Sequence, residues 1–184
     1  MSKVLISVLG EDRPGIIAAV TRILYQLDCN IENVSQTILQ SEFGGLFIAA
    51  IPENIILEEL HNHLETELTP LNLSVHIKPV KSVSVKRTIV ESEPFVITTR
   101  GADRKGLVAG ITEVIARHGV NVTNLQAIFK GGDDPRNNIM IYEVDVPVDI
   151  DQQYLYRDLR EKAAALELDI SIQHRNIFET LNRI

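Results

Sequence analysis

The sequence predicts an α+β chain of two ferredoxin-like βαββαβ domains in tandem, with antiparallel sheets and helices on one face. Three observations predict it. The first is a repeat. Gly10-Glu11-Asp12-Arg13-Pro14-Gly15 returns 91 residues later as Gly101-Ala102-Asp103-Arg104-Lys105-Gly106. Gly10, Asp12, Arg13, Gly15, Ala18, Thr21, Asn30 and Asn33 are all identical to their partners at that one offset, without a gap. A period of half the chain means two copies of one small domain. The second is the alternation of short β-branched runs with longer stripes of helical period. The third is that both halves run through these elements in the same order.

In the first half, Val4 to Leu9 is a short apolar run ended by Gly10 and reads as a buried strand. A helix is expected from Pro14, which suits a first helical position. Its apolar stripe is Ile16, Ile17, Val20, Ile23, Leu24 and Leu27. Ile31 to Leu39 and Leu46 to Ile51 read as strands, with a turn expected around Phe43-Gly44-Gly45. Ile56, Leu57, Leu60, Leu64 and Leu68 mark a second helix, stopped before Pro70. Leu73 to Ile77 is the last strand. The second half repeats this. Phe95 to Thr99, Val120 to Phe129, Ile139 to Val146 and Ile170 to His174 are its strands. Leu107 to His118 and Leu155 to Leu166 carry its helical stripes. The expected domains are 1–80 and 94–184, joined by an extended linker, 81–93. A Gly- and Asp-rich loop, 130–137, reads as a turn, and the tail 177–184 has helical spacing.

Composition narrows the function. The net charge is −7 over 184 residues. Neither half has the positive balance that phosphate-backbone binding needs, so direct nucleic-acid binding is disfavoured. The single cysteine, Cys29, excludes an intramolecular disulfide framework and fits a reducing compartment. Asp28 beside it would raise its pKa and does not activate it. The apolar run at the N-terminus is too short for a membrane span or a signal peptide, so the expected location is cytoplasmic. No phosphate loop, CxxC pair or nucleophile elbow is present, and no cofactor, metal or catalytic residue is expected. His61 and His63 point to different helix faces, and His118 reads as a helix-end packing residue.

The repeated polar residues are the candidate site. A helix N-terminus presents unsatisfied N–H groups and a partial positive charge, which suits a carboxylate. Asp12 beside it can accept hydrogen bonds from an ammonium group, and Gly15 lets the backbone approach closely. Asn30, at the start of the next strand, offers donor and acceptor together. Amino acids carry both charges, so such a turn suits them. Each residue also has a structural reading. Asp12 could cap the helix, Gly10 and Gly15 could serve the turn, and Asn30 could be a left-handed C-cap.

Asp12-Arg13-Pro14-Gly15-Ile16 after a strand, then an apolar helix, then Cys29-Asn30-Ile31 and a strand, resembles the signature of the ACT domain family. The resemblance covers nearly the whole chain. Two such domains and nothing else resemble the family of the glycine cleavage system transcriptional repressor. It implies a non-enzymatic regulator that binds a small amino acid, glycine being one candidate. The site would lie where two domains meet side by side. The ligand-binding residues it implies are Gly10, Asp12, Arg13, Gly15, Asn30 and Ile31. Their counterparts are Gly101, Asp103, Arg104, Gly106, Asn121 and Val122. A homodimer and a protein partner, a transcription regulator or a metabolic enzyme, are expected. The alternative is a ligand-free scaffold or dimerisation module. Lys105 in place of the motif proline adds charge near the helix dipole and sets the second site apart.

Overall fold

A computed structural model describes residues 2–80, 91–128 and 138–176. The chain divides into two compact units, Met1–Val85 and Lys86–Ile184. The first runs β1 (Ser2–Glu11), α1 (Ile16–Gln26), β2 (Asn30–Leu39), β3 (Glu42–Ile51), α2 (Leu57–Leu68) and β4 (Ser74–Val80). A single 3₁₀ turn, Thr69–Leu71, follows α2 and contains Pro70. The second runs β5 (Ser92–Gly101), α3 (Leu107–Arg117), β6 (Asn121–Ile128), β7 (Asn138–Pro147), α4 (Gln152–Ala165) and β8 (Asp169–His174). This is βαββαβ twice. The sheets are antiparallel, ordered β2-β3-β1-β4 and β6-β7-β5-β8. Residues 81–90, 130–137 and 177–184, to which a linker, a turn and a helix were assigned above, lie outside the described residues.

Each sheet has one face covered by two helices. In β1, Val4, Ile6 and Val8 alternate into the core, as period-two patterning requires. They meet Val20, Ile23 and Leu24 of α1, Leu60, Leu64 and Leu68 of α2, and Phe43 and Phe47 of β3. The second core repeats this with Phe95, Ile97, Ile111, Ile115, Tyr142, Val144, Leu155 and Leu159. Burying one such side chain contributes about 1.5–3 kcal/mol, so the stripes read from sequence hold each unit together.

Two expectations are corrected. Phe43-Gly44-Gly45 is not a turn: it lies inside β3, and the hairpin turns at Gln40-Ser41, where Gln40 takes φ 57°. A Cβ on Gly45 would stand 2.7 Å from the Phe43 ring. The glycine is there because the ring lies over it. The first helix also starts later than Pro14. Its N-cap is Gly15, at φ 97° and ψ −5°, and Gly106 does the same for α3 at φ 88°. The left-handed residue, not the proline, sets where these helices begin.

Other side chains take structural work. Cys29 is buried, and its thiol is pushed up by burial first and by Asp28 second. Among the described residues no group of His, Cys, Asp and Glu could hold a metal ion, and no helix is long and apolar enough to cross a membrane. His118, read as a helix-end packing residue, is the C-cap residue of α3, and its half-buried ring places Nε2 3.0 Å from Asp158 Oδ2 on α4. Arg117 and Arg157 reach the same carboxylate. The His118 hydrogen bond, ahead of Arg157 and Arg117, holds Asp158 below its ordinary 3.8, against the opposing effect of burial. A depressed carboxylate stabilises the fold above its unfolded pKa and stops doing so as pH falls through the folded one. Asp158→Asn is therefore expected to be less stable than the parent at pH 7. In urea titrations the gap should close at pH values below about 3.8. A gap that widens on acidification would contradict this pairing.

Candidate functional site

The strand-to-helix turn of the first unit is built from four contacts, and the second unit repeats the last three. First, the Asp12 amide donates to the Ser41 carbonyl at 2.7 Å, which ties the turn to the β2–β3 hairpin. Second, Gly10 packs where no side chain fits. A Cβ there would lie 2.7 Å from the Asn72 carbonyl oxygen and 2.7 Å from Leu73 Cδ2. Gly101 sits likewise against Glu167 and Leu168. Third, Arg13 donates through Nη2 to the Leu71 carbonyl, satisfying an orphan acceptor after α2. Arg104 does the same to Leu166 and adds an ion pair with Glu167 at 3.2 Å. Fourth, Gly15 and Gly106 start the helices with nothing within 4 Å of where a Cβ would stand.

These contacts leave two groups open. No side chain caps α1 or α3, and neither has an acidic residue in its first turn. Helix α4 differs: Asp151 accepts from the amides of Gln153 and Tyr154. In α1 the first intrahelical bond runs from Ala19 N–H to the Gly15 carbonyl. The amides of Ile16, Ile17 and Ala18 therefore keep their donors, with the helix dipole behind them. The second open group is the Asp12 carboxylate. It is exposed, caps nothing, and has no hydrogen-bond or ion-pair partner among the described residues. A concavity of about 460 Å³ joins the two. It is lined by Asp12, Arg13, Gly15, Ile16, Ile17, Ala18, Gln36 and Phe43. A carboxylate acceptor and a set of free amides in one hollow match the two charges of a zwitterion.

Asn30 and Ile31 do not line this hollow. Asn30 is exposed and opens β2 opposite Ala50, while Glu11, next to the turn, pairs with Glu42. Eight residues of β3 separate the two places, about 26 Å of strand. Asp12 and Asn30 thus mark opposite ends of α1, too far apart for one small amino acid held within a single unit. Asn121 and Val122 hold the same places in the second unit, with Asn121 opposite Asp145. Neither asparagine is a C-cap. The left-handed residues after α1 and α3 are Asp28, at φ 53°, and Gly119, at φ 69°. Both strands bulge just beyond the asparagine, between Ile31 and Asn33 and between Val122 and Asn124. Gln36 and Phe43 were missed by sequence reasoning. Nothing local signals them, because a cross-strand register brings them to the turn.

The same two segments are picked out by comparison with known proteins. The ACT domain model matches residues 2–78 and again 93–173, most of the chain. The chain belongs to the ACT domain family. Its ACT domains also match small single-domain relatives. A UPF0237 protein of Pyrobaculum aerophilum is 34% identical over 98 residues, covering 50% of this chain and 99% of that protein. A UPF0237 protein of Streptococcus pneumoniae is 32% identical over 76 residues, covering 41% of this chain and 86% of that one. Two solved structures share the tandem ACT architecture. A protein of unknown function from Galdieria sulphuraria has a TM-score of 0.76 at 19% identity, over 94% of this chain and 98% of that one. A candidate glycine cleavage system transcriptional repressor has a TM-score of 0.64 at 21% identity, over 94% and 96%. At these identities the structures establish the fold. ACT domains are ligand-binding regulatory modules, which places this chain in a regulatory family.

Proposed function

We propose that the chain is a non-enzymatic regulator whose ACT domains bind a small amino acid at the Asp12 and Asp103 turns. The observation that carries this is the hollow at the start of α1. It joins an unpaired carboxylate to three amides that nothing caps. In this reading Asp12 accepts from the ligand ammonium, and Ile16, Ile17 and Ala18 donate to its carboxylate. Gly15 keeps the approach to those amides clear. Gly10 and Arg13 hold the turn in shape through the strand and carbonyl they contact. Glycine is one candidate ligand, and the likeness to a candidate glycine cleavage repressor supports considering it. Binding stabilises one arrangement of a cytoplasmic homodimer, which a transcription regulator or a metabolic enzyme reads. Asn30 and Asn121, at the far ends of their domains, are available to such a neighbour.

A thermal-shift screen of the common amino acids tests this. A ligand at 100 times its Kd adds about 2.7 kcal/mol, or roughly 5–10 °C for a chain of this size. The double variant Asp12→Ala, Asp103→Ala should keep its unliganded Tm, because both side chains are exposed, and should lose the shift. Asn30→Ala should also fold normally, since Asn30 caps nothing; an unliganded Tm more than about 5 °C below the parent would contradict that placement. A flat response of the parent to every amino acid would replace the sensor with a ligand-free scaffold.

A further inference from the structure

Helices α2 and α4 are duplicates with one buried stripe and two different outer faces. Leu60, Leu64 and Leu68 of α2 and Leu155, Leu159 and Ala163 of α4 fall at one constant offset, and all are buried. Core packing fixes the inner face of each helix and leaves the outer face free. At that offset Arg160 of α4 stands where α2 has Glu65, Lys162 where it has Glu67, and Tyr154 where it has Glu59. Helix α2 carries Glu58, Glu59, Glu65 and Glu67 and no lysine or arginine. Of these glutamates, Glu65 alone is ion-paired among the described residues, to His61 at 3.6 Å. Helix α4 carries Arg157, Arg160 and Lys162 beside Asp158 and Glu161. Its two acids are matched within the unit, Asp158 by His118 and Arg117 and Glu161 by Arg157. The neighbouring helices add Arg22 on α1, and Glu113 and Arg117 on α3.

Each face also presents an apolar group. Tyr154 is 54% exposed, and the Arg157 guanidinium lies 4.6 Å from its ring centroid, a cation–π pair held at the surface. Ile56, at the head of α2, is 64% exposed. It edges a concavity of about 410 Å³ that runs along α2 past Glu59, Asn62, His63 and Glu67. Tyrosine and arginine are enriched among the residues that anchor interfaces. A ring carrying a cation is complementary to an apolar hollow rimmed by carboxylates.

We infer that the α4 face of one copy of this chain docks on the α2 face of a second copy. Two-fold related copies make the contact twice, α4 to α2 in each direction. A layer of two helices of this length presents roughly 18 Å by 20 Å, so two contacts bury roughly 700 Å² per partner, close to the ~800 Å² of a standard interface. This contact is the surface of the homodimer proposed above, on which it rests, and it needs no bound amino acid.

Sedimentation velocity of the full chain tests it. The parent should dimerise, and the dimer should weaken at about 0.5 M salt, where the charges are screened. Arg157→Glu with Arg160→Glu reverses the α4 face, and Glu59→Arg with Glu67→Arg reverses the α2 face. All four side chains are exposed, so the Tm should stay near the parent's. Each double variant alone should dimerise at least about tenfold more weakly than the parent. Mixed in equal amounts the two should recover the dimer, because both contacts then join opposite charges. Tyr154→Ala, which changes no charge, should weaken the parent dimer too. Reversed variants that dimerise like the parent overturn this surface and leave the homodimer standing. So does a mixture that stays as weak as its two components. A parent that is monomeric at every concentration overturns the surface and the homodimer together and leaves the amino-acid reading untouched.

Discussion

Replacing Phe47 with alanine is expected to cost about 3–5 kcal/mol, the largest effect of any single truncation proposed for the first domain. Phe47 is fully buried in β3, the strand between β2 and β1, and pairs with Ile6 on one side and Val34 on the other. Both helices close over it, so the cavity left behind has walls that cannot collapse without moving α1 or α2. The loss is a large fraction of the 5–15 kcal/mol that holds a typical domain folded. Urea denaturation measures it as a fall in midpoint at nearly constant slope. A loss under about 1 kcal/mol would mean that Phe47 is not in the core. The counterpart change Tyr142→Phe should be nearly neutral. It removes a buried hydroxyl that has only a weak bond to the Met140 sulfur and a polar contact with Thr99, and whose pKa burial pushes up to about 12 against the lowering effect of Thr99.

Gly15→Val comes next, at about 1–3 kcal/mol, and for a different reason. A Cβ at Gly15 meets nothing within 4 Å, so sterics against the rest of the protein cost nothing. The cost is in the backbone, which stands at φ 97°, where a β-branched residue is strained. Gly15→Asn should be much milder, since asparagine tolerates positive φ. The Val variant should melt about 2–12 °C below the parent by calorimetry, at roughly 2–4 °C per kcal/mol. Equal Tm values for the Val and Asn variants would contradict a left-handed N-cap.

These two positions also show what was readable in advance. The core was readable because its code is local: a period of 3.6 in the helices and of two in the strands. Phe47 and its twin fall on that alternation. The start of α1 was half readable. A proline at a favoured position drew the boundary to Pro14, yet the repeat keeps Gly15 and replaces Pro14 by Lys105. Comparing the halves favours the glycine. The β2–β3 turn was misread because Gly44-Gly45 carries a turn composition and Gln40-Ser41 does not. The glycines answer to the Phe43 ring, a contact no composition rule contains. Arg13 and Arg104 were visible as a repeated pair, but their partners, the carbonyls of Leu71 and Leu166, lie some sixty residues away. Asp12 and Asn30 were coupled by their shared repetition and by the family pattern. Only the register shows that they occupy opposite ends of the domain.

The central claim is that uncapped amides at the Asp12 turn, facing an unpaired carboxylate, hold a small amino acid. Two-dimensional amide NMR tests it most directly, following backbone N–H signals as the amino acid with the largest thermal shift is titrated in. The account predicts that Ile16, Ile17 and Ala18 move together and saturate, and that Asp12→Ala silences them. Saturating changes confined to the exposed faces of α2 and α4, with the amides of Ile16 to Ala18 unmoved, would contradict it.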